Sequence, residues 1–316
     1  MSIVIDRHPV TDSLASDVRE GLTRTLKELP PKYFYDERGS VLFDRITALP
    51  EYYPTRCERS ILNRHAPELV SGVEELVELG SGMASKTRAL LYAMAGAGQL
   101  RRYVPFDFDG SVVEACAGEL IELYPGLQVH GVVGDFGRDL EQIPAGRRRL
   151  FAFLGGTIGN LFPAERAEFL ARVRELMSLD DRLVIGTDLV KDRYVLEAAY
   201  NDSAGVTAEF NRNVLRVINA GLDADFDPDA FEHVAFFDEA NSWIEMRLRA
   251  NGAQRVLIDG ADLEVTFADG EEIRTEVSAK FTEEAVQREL DAAGMRLDRF
   301  FTDGSALFGL AFASRR

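Results

Sequence analysis

Leu76-Val77-Glu78-Leu79-Gly80-Ser81-Gly82 is an apolar run that takes in one acid and then breaks into two glycines. A second apolar run, Val104-Pro105-Phe106-Asp107, follows it and ends on an acid. Gly80 and Gly82 let the backbone turn tightly and approach a ligand without a Cβ in the way. An acid at the end of the next strand can accept hydrogen bonds from ribose hydroxyls. Together the two runs predict a nucleotide-binding α/β unit.

The glycine turn does not match the known phosphate-binding patterns. Ser85 stands where the G-x-G-x-x-G dinucleotide fingerprint needs its third glycine, and the G-x-x-x-x-G-K-S/T motif of the phosphate loop is not met. A Glu-x-Gly-x-Gly turn without a phosphate cradle suits an adenosine ligand that carries no phosphate. We therefore predict S-adenosylmethionine as the cofactor.

Composition excludes several classes of partner. The chain has 316 residues and a formal charge of −17, from 36 basic and 53 acidic residues, which disfavours nucleic acid. We interpret the short cluster Arg147-Arg148-Arg149 as a solvated strand entry. No window approaches the ~20 apolar residues that a membrane helix needs. The segment Met1–Asp6 has neither a basic region nor an apolar core, so we expect no signal peptide and no membrane partner.

The cysteines and histidines indicate no disulfide and no metal. Cys57 and Cys116 form no CxxC motif, and none of the histidines has ligand-like spacing; these are His8, His65, His130 and His233. Reduced thiols fit a cytoplasmic protein. We expect a monomer with no metal.

From about residue 74 strand-like and helical runs alternate, which predicts a parallel sheet covered on both faces. One helix is predicted from Pro163 to Met177, with its apolar residues at helical spacing. The predicted strands of this part are Glu75–Leu79, Tyr103–Phe106, Gln128–Val133, Leu150–Leu154 and Arg182–Gly186.

Residues 195–280 interrupt the alternation and predict a smaller α+β insertion. A helix from Tyr194 to Ala220 leads into the strands Ser242–Leu248, Arg255–Ile258 and Leu263–Phe267. The alternation then resumes with a helix from Thr282 to Ala293 and two terminal strands, Arg296–Thr302 and Ala306–Ala313. A helix followed by a terminal hairpin resembles the usual ending of the methyltransferase sheet.

Nearly the whole chain resembles the ergothioneine-pathway histidine Nα-methyltransferases, which form hercynine. The glycine motif alone is weak, but the Gly-Thr-Ile-Gly-Asn and Thr-Glu-Val-Ser runs are specific. The matching segments are Pro31–Asp36, Leu49–Arg56, Glu78–Gly82, Pro105–Asp107, Gly134–Phe136, Gly156–Leu161, Gly186–Asp192, Phe210–Asn213 and Thr275–Phe281.

The resemblance implies an α/β fold with two parts. A Rossmann-like class I methyltransferase sheet, of residues 56–194 and 281–316, would bind S-adenosylmethionine. A smaller α+β substrate-binding domain would comprise residues 10–55 and 195–280. The implied activity is trimethylation of the α-amino group of L-histidine.

The resemblance also implies a set of cofactor contacts. Taken alone, Lys86 would equally fit a solvated helix lysine, and Asp135 a loop acid. The implied set is Gly80 and Gly82 beneath the methionine part, Lys86 at its carboxylate, Asp107 at the ribose, and Asp135 and Phe136 at the adenine.

Asn160 is the strongest candidate for the amino-acid end of the substrate. It follows the fourth strand, where open α/β sheets place ligands. Its amide is both donor and acceptor, so it can hold an amine or a carboxylate in a fixed geometry. The resemblance implies that the Tyr200 hydroxyl donates to the substrate carboxylate, and that Tyr52, with Tyr35 and Phe43, closes the pocket. These aromatic residues would otherwise be plain packing.

Glu276 and Ser278 alternate along a predicted strand and therefore point to the same face. A carboxylate and a hydroxyl side by side can bond both nitrogens of an imidazole ring. Met246, on another strand of the insertion, would pack against the ring. Without the resemblance, Glu276 and Ser278 would equally fit a solvent-facing strand surface.

Methyl transfer from a sulfonium to an amine is an in-line displacement, to which the protein contributes mainly orientation. The attacking amine must first lose a proton, to solvent or to Tyr35 through a water molecule. One alternative is methylation of another small amine or amino acid such as tryptophan, although an indole offers one donor and no acceptor. Another is a non-catalytic partner that keeps the fold, which would show a ruined cofactor turn or lack Asn160.

Overall fold

The computed structural model describes residues 2–7, 13–135 and 137–316. Its α-helices are α1 (Ser13–Leu22), α2 (Glu37–Thr47), α3 (Pro54–Leu69), α4 (Arg88–Gly96), α5 (Gly110–Leu123), α6 (Pro163–Leu176), α7 (Arg193–Tyr200), α8 (Val206–Leu222) and α9 (Glu283–Ala292). Its β-strands are β1 (Ser2–Arg7), β2 (Lys27–Glu28), β3 (Glu75–Leu79), β4 (Arg102–Asp107), β5 (Gln128–Val133), β6 (Arg149–Phe153), β7 (Arg182–Asp188), β8 (Phe231–Asp238), β9 (Trp243–Ala250), β10 (Gln254–Ile258), β11 (Leu263–Phe267), β12 (Glu272–Ala279), β13 (Met295–Thr302) and β14 (Phe308–Arg315).

The chain forms two compact units, each built from discontinuous segments. The first unit comprises Pro54–Leu189 and Phe281–Arg316 together with strand β1. The second unit comprises residues 13–53 and Val190–Lys280. The chain therefore leaves the first unit and returns to it twice.

The first unit contains an eight-stranded sheet in the order β1-β5-β4-β3-β6-β7-β14-β13. Its strands are parallel except for β14, which runs antiparallel to both β7 and β13. The strand order reverses at β3, which lies between β4 and β6. Such a reversal opens a crevice at the carboxyl ends of the two adjacent strands, where open α/β sheets bind ligands. The predicted Rossmann-like class I methyltransferase fold is confirmed.

The central strands form because their apolar runs are long enough to be buried on both faces of the sheet. Leu76, Val77 and Leu79 of β3 are almost completely buried, and so are all five residues of β6. A strand covered on both sides needs this near-continuous apolar pattern. The predicted bounds of β3 and β5 agree with the structure, and the other predicted strands of this sheet differ from it by one or two residues at an end.

The second unit contains a four-stranded sheet in the order β2-β12-β9-β8 and a separate hairpin, β10-β11. Strands β12 and β9 are antiparallel, and Glu276 lies directly opposite Met246. Directly opposed residues of an antiparallel pair project from the same face of the sheet. The register therefore gives Glu276, Met246 and Ser278 a common face.

The predictions of secondary structure were incomplete in several places, and the strands β2 and β8 of the second unit were not predicted. The N-terminal strand β1 was not predicted, although it pairs in parallel with β5 along its whole length. The helix predicted from residue 194 to residue 220 is two helices, α7 and α8. The chain breaks between them because Gly205 has φ +71° and the Asp202 carboxylate accepts the backbone N–H groups of Val206 and Thr207, at 2.9 and 2.7 Å.

The prediction of a solvated strand entry was wrong for Arg149. Arg147 and Arg148 are exposed, but the Arg149 side chain is 5% exposed and its Nε and Nη2 donate to Asp181 Oδ2, at 3.0 and 2.8 Å. Asp181 Oδ1 also accepts the backbone N–H of Arg149, at 2.7 Å. The guanidinium bonds one oxygen of this buried carboxylate and the backbone N–H bonds the other, so Arg149 secures the start of β6.

Some classes of feature are absent from the part of the chain that the structure describes. Within residues 2–7, 13–135 and 137–316, no helix combines the length and the apolarity needed to cross a membrane. Within the same ranges, no group of three or more His, Cys, Asp or Glu side chains could hold a metal ion. Cys57 and Cys116 are both free thiols.

Candidate functional site

The glycine turn after β3 exposes its backbone to a ligand. Gly80 and Gly82 have φ of +74° and +46°, which favour glycine over any residue with a Cβ. A Cβ added to Gly82 would stand in open space, with no atom within 4 Å. The turn therefore leaves room at its surface for a group that approaches the backbone closely, as the methionine part of S-adenosylmethionine would.

Asp107 ends β4 and braces this turn. Its Oδ2 accepts the backbone N–H of Gly82 at 2.8 Å, and its Oδ1 accepts that of Asp109 at 3.1 Å. Burial raises the pKa of the Asp107 carboxyl, and these two hydrogen bonds oppose the rise. Each carboxylate oxygen has a second lone pair, so Asp107 can brace the turn and still accept hydrogen bonds from two ribose hydroxyls.

Glu78 supports the turn from inside the sheet. This carboxyl is 3% exposed and accepts hydrogen bonds from the hydroxyls of Thr87 and Tyr103. Burial raises its pKa to about 7. Glu78 thus links β3 to β4 and to the start of α4, and it does so with a carboxyl that titrates close to neutral pH.

Lys86 has a partner that the sequence did not reveal. Its Nζ lies 2.9 Å from Oε2 of Glu58, a residue of α3 whose side chain is fully buried. The other oxygen, Oε1, accepts the backbone N–H of Gly155 at 2.7 Å. Glu58 therefore fixes the Lys86 ammonium beside the loop that follows β6. The role of Glu58 was not predicted from the sequence, because this residue lies in a polar stretch, Arg56–Ser60, that is typical of a solvated helix face.

The loop after β6 carries Asn160. Gly155 and Gly156 have φ of +84° and +71°, so the chain turns sharply at the end of the strand. A 3-10 helix, Thr157–Asn160, follows and ends on Asn160, whose side chain is partly buried. Because β6 is the neighbour of β3, this loop and the Gly80–Gly82 turn leave adjacent strands at the same edge of the sheet. Asn160 and the glycine turn thus lie at the same edge of the sheet in the first unit.

Asp135 and Phe136 follow β5. Asp135 is partly buried, and its Oδ1 accepts the backbone N–H of Gly137 at 2.7 Å. Asp139 in turn accepts the backbone N–H of Asp135 at 2.8 Å, which fixes the loop. Phe136 lies outside the described residues. The predicted adenine contact of Asp135 remains a prediction.

Four predicted aromatic residues form one continuous series in the second unit. Tyr35 contacts Phe43 with ring centroids 5.5 Å apart, Phe43 contacts Tyr52 at 6.2 Å, and Tyr52 contacts Tyr200 at 6.5 Å. Each pair is edge-to-face, the arrangement that aromatic quadrupoles favour. Tyr52 and Tyr200 are buried, whereas Tyr35 is 44% exposed at the outer end of the series. The structure thus brings together residues that are far apart in sequence.

The Tyr200 hydroxyl ends this series beside β12. Its Oη lies 2.7 Å from Ser278 Oγ, and the buried ammonium of Lys280 donates to both oxygens, at 3.0 and 2.8 Å respectively. Glu276 is partly buried on the same strand, opposite Met246. Lys280 was missed because a lysine just after a strand normally indicates a solvated end.

His233 positions the backbone of Tyr200. Asn211 Nδ2 lies 2.8 Å from His233 Nδ1, and His233 Nε2 lies 2.9 Å from the carbonyl oxygen of Tyr200. Because an amide nitrogen can only donate, Nδ1 accepts and Nε2 carries the proton. Thr275 Oγ1 donates to Asn211 Oδ1 at 2.7 Å, which sets the amide orientation. Burial lowers the pKa of His233, so this imidazole stays neutral.

Comparisons with known proteins show the family of this chain. Residues 14–315 match the model of a family described as histidine-specific methyltransferase, SAM-dependent. The chain belongs to this family. It is 53% identical over 305 residues to the histidine N-alpha-methyltransferase of Mycobacterium tuberculosis, covering 96% of this chain and 95% of that protein. The enzyme of the same name from Mycolicibacterium smegmatis is 53% identical over 306 residues, with 96% and 95% covered. Ergothioneine biosynthesis protein 1 of Neurospora crassa is 36% identical over 61% of this chain and 23% of that protein.

Proposed function

We propose that this protein transfers methyl groups from S-adenosylmethionine to the α-amino nitrogen of L-histidine, three times in succession, to give hercynine. This is the first step of ergothioneine biosynthesis. The observation that carries the proposal is that relatives sharing half of their residues with this chain, over almost its full length, bear the name histidine N-alpha-methyltransferase. The predicted substrate residues of the second unit lie in one cluster, which supports the same proposal.

The cofactor residues of the first unit fit an adenosine ligand without phosphate. Bound S-adenosylmethionine supplies a sulfonium methyl group to a nucleophile. In this proposal the Gly80–Gly82 turn holds the methionine part, and Lys86 pairs with its carboxylate. Asp107 accepts the ribose hydroxyls, and Asp135 bonds the adenine. The open space at Gly82 and the braced carboxylate of Asp107 support this arrangement.

The substrate residues divide by the chemistry that they offer. Asn160 would hold the amino and carboxylate end of histidine with its amide, and Tyr200 would donate to the carboxylate. Glu276 and Ser278 would bond the two imidazole nitrogens, and Met246 would pack against the ring. Because Met246 is directly opposite Glu276, one face of the sheet offers a carboxylate and an apolar surface side by side.

The proton of the substrate ammonium must leave before each methyl transfer. Tyr35 is 44% exposed, so a water molecule bound to its hydroxyl can exchange with solvent. We propose that the proton leaves by this route, with Tyr35 relaying it through water. Orientation of the neutral amine toward the methyl group then accounts for several kcal/mol of the barrier.

Selectivity tests the proposal against methylation of tryptophan. Histidine satisfies both Glu276 and Ser278, whereas indole has one donor and no acceptor and leaves the pair incompletely bonded. A site built for a polar group can reject such an analogue by up to ~10⁴-fold. We expect histidine to be the main product-forming substrate when the protein is incubated with S-adenosylmethionine and all common amino acids, with products identified by mass spectrometry.

Glu276→Ala should reduce the ratio of kcat/KM for histidine to kcat/KM for tryptophan. The substitution removes the hydrogen bond to the imidazole of histidine, and it also removes the cost of leaving the carboxylate unpaired when indole is bound. Glu264→Ala is the matched control, since Glu264 is a largely exposed carboxylate paired with Arg255 on the β10-β11 hairpin. A ratio that stays constant in Glu276→Ala would place this carboxylate outside the imidazole site. Tryptophan methylated faster than histidine by the parent protein would contradict the proposal itself.

We further propose that the protein acts as a monomer in the cytoplasm. Two free thiols, Cys57 and Cys116, are compatible with a reducing compartment. Light scattering of the purified protein tests the oligomeric state, and a mass of twice 35.1 kDa would contradict the proposal.

A further inference from the structure

Lys280 is a buried cation that lies between two residues proposed to bind the substrate, Tyr200 and Ser278. It is 4% exposed, and its Nζ donates to Tyr200 Oη at 3.0 Å and to Ser278 Oγ at 2.8 Å. The same ammonium lies 4.6 Å from the centroid of the Tyr200 ring. The two hydroxyl oxygens are 2.7 Å apart, so each of the three groups lies within hydrogen-bond distance of the other two, and together they form a triangle.

The chemistry of lysine determines which groups of this triangle donate hydrogen bonds and which accept them. An ammonium has only donors, so both hydroxyl oxygens must accept from Lys280. A hydroxyl that accepts from a cation is a better donor in turn, because hydrogen bonds in a chain polarise one another. The Lys280 ammonium therefore contributes a positive charge to the triangle and favours donation by the hydroxyls to an acceptor, preferably an anion.

The distances bring this charge within reach of a substrate carboxylate. A carboxylate oxygen that accepts the Tyr200 proton at a normal distance lies within about 6 Å of the Lys280 ammonium. Opposite charges at this separation interact strongly in a buried environment, where water screens them little. A neutral amide in the same place would gain no such attraction.

We propose that Lys280 is a positioning residue that makes the second unit select amino acids with a free α-carboxylate. It fixes the hydroxyls of Tyr200 and Ser278, and it supplies the charge that the carboxylate needs. This inference rests on the proposed methylation of histidine and adds to it the group that enforces recognition of the carboxylate.

The test compares L-histidine with L-histidinamide, in which a neutral carboxamide replaces the carboxylate. Because each variant is judged by the ratio of the two kcat/KM values, the other differences between the two compounds cancel. The parent protein should show a much higher kcat/KM for histidine than for histidinamide. In Lys280→Met the ratio of the two values should fall at least about ten-fold, mainly through KM of histidine, as expected when a cation about 6 Å from a buried carboxylate is removed. Lys280→Gln keeps donors but loses the charge, and should lower the ratio similarly. Lys280→Arg keeps the charge and should retain most of the ratio measured for the parent protein.

The matched control is Lys191→Met. Lys191 is also in the second unit, donates to the Tyr53 hydroxyl at 2.8 Å and lies 4.5 Å from its ring centroid. The ratio should not change in this variant, and S-adenosylmethionine affinity measured by calorimetry should be unchanged in all of them.

Two results would overturn the role of Lys280 while leaving histidine methylation in place. One is a parent protein that methylates histidinamide as efficiently as histidine, a result that needs no variant to fold. The other is an active Lys280→Met with an unchanged ratio. A parent protein that methylates neither compound would instead overturn the proposed function, and the role of Lys280 with it.

Discussion

Replacing Glu78 by glutamine should remove a pH dependence from the stability of the first unit. Burial raises the pKa of Glu78 to about 7 in the folded protein, against 4.5 for an unperturbed glutamate. Between these values the folded state holds a proton that the unfolded state releases. Stability from this group is therefore complete below about pH 4.5 and is lost as the pH rises through about 7.

The magnitude follows from the difference in pKa. One pKa unit corresponds to about 1.4 kcal/mol, so the parent should lose about 3 kcal/mol of stability from this group on going from acid to mildly alkaline solution. Glutamine imitates the protonated carboxyl and does not titrate. The difference in unfolding free energy, parent minus Glu78→Gln, should therefore decrease by about 2.5 kcal/mol between about pH 5 and pH 8.

Amide hydrogen exchange read by mass spectrometry is the appropriate assay, because the single tryptophan, Trp243, lies in the second unit. Peptides from β3 and β4 report on the surroundings of Glu78, and comparing the two proteins at equal pH cancels the intrinsic exchange rate. Glu119→Gln is the control, since Glu119 is an exposed carboxylate of α5 paired with Arg88 and its pKa is lowered. A parent-to-variant difference that is the same at both pH values would refute the reasoning for Glu78.

Three other predictions concern the two proposed binding sites and their support. Asp107→Ala should weaken S-adenosylmethionine binding by about 1–3 kcal/mol, measured by titration calorimetry, because a charged acceptor is lost; unchanged affinity in a folded variant would exclude the ribose role. Asn160→Ala should abolish most histidine turnover while cofactor affinity persists, and turnover near the parent rate would show that Asn160 does not hold the substrate. Burial lowers the pKa of His233 below its ordinary 6.5, so the unfolded state takes up a proton that the folded state refuses, and stability should fall as the pH drops below about 6.5. Urea unfolding followed by Trp243 fluorescence tests this, and His233→Gln should show less acid sensitivity than the parent; equal sensitivity would assign the effect to another group.

The central sheet could be predicted from the sequence because its strands are buried on both faces. Apolar runs of this kind leave little ambiguity, and β3 and β5 were predicted with their observed bounds. Strand β1 could not be recognised in the same way. Its partner, β5, lies more than a hundred residues later, and a six-residue run contains no signal for a pairing at that distance.

Buried charged residues were the main limit on predicting the site. Glu58 and Lys280 have the composition of surface residues, and only the fold shows that each is buried with specific partners. Arg149 was misjudged for the same reason. Sequence patterns report which residue types prefer water, whereas a charge enters the interior only when tertiary structure provides its partner.

The path of the chain between the two units has a consequence for synthesis. Strand β14, residues 308–315, lies between β7 and β13 in the sheet of the first unit, and residues 190–280 of the second unit precede it in the chain. A ribosome working at about 5–20 residues per second makes β7 well before β14. During that interval the backbone edge of β7 has no strand to pair with, and an unpaired edge can recruit other chains. The sheet of the first unit is thus begun early and completed last, and the edge of β7 stays open to pairing while the second unit is being made.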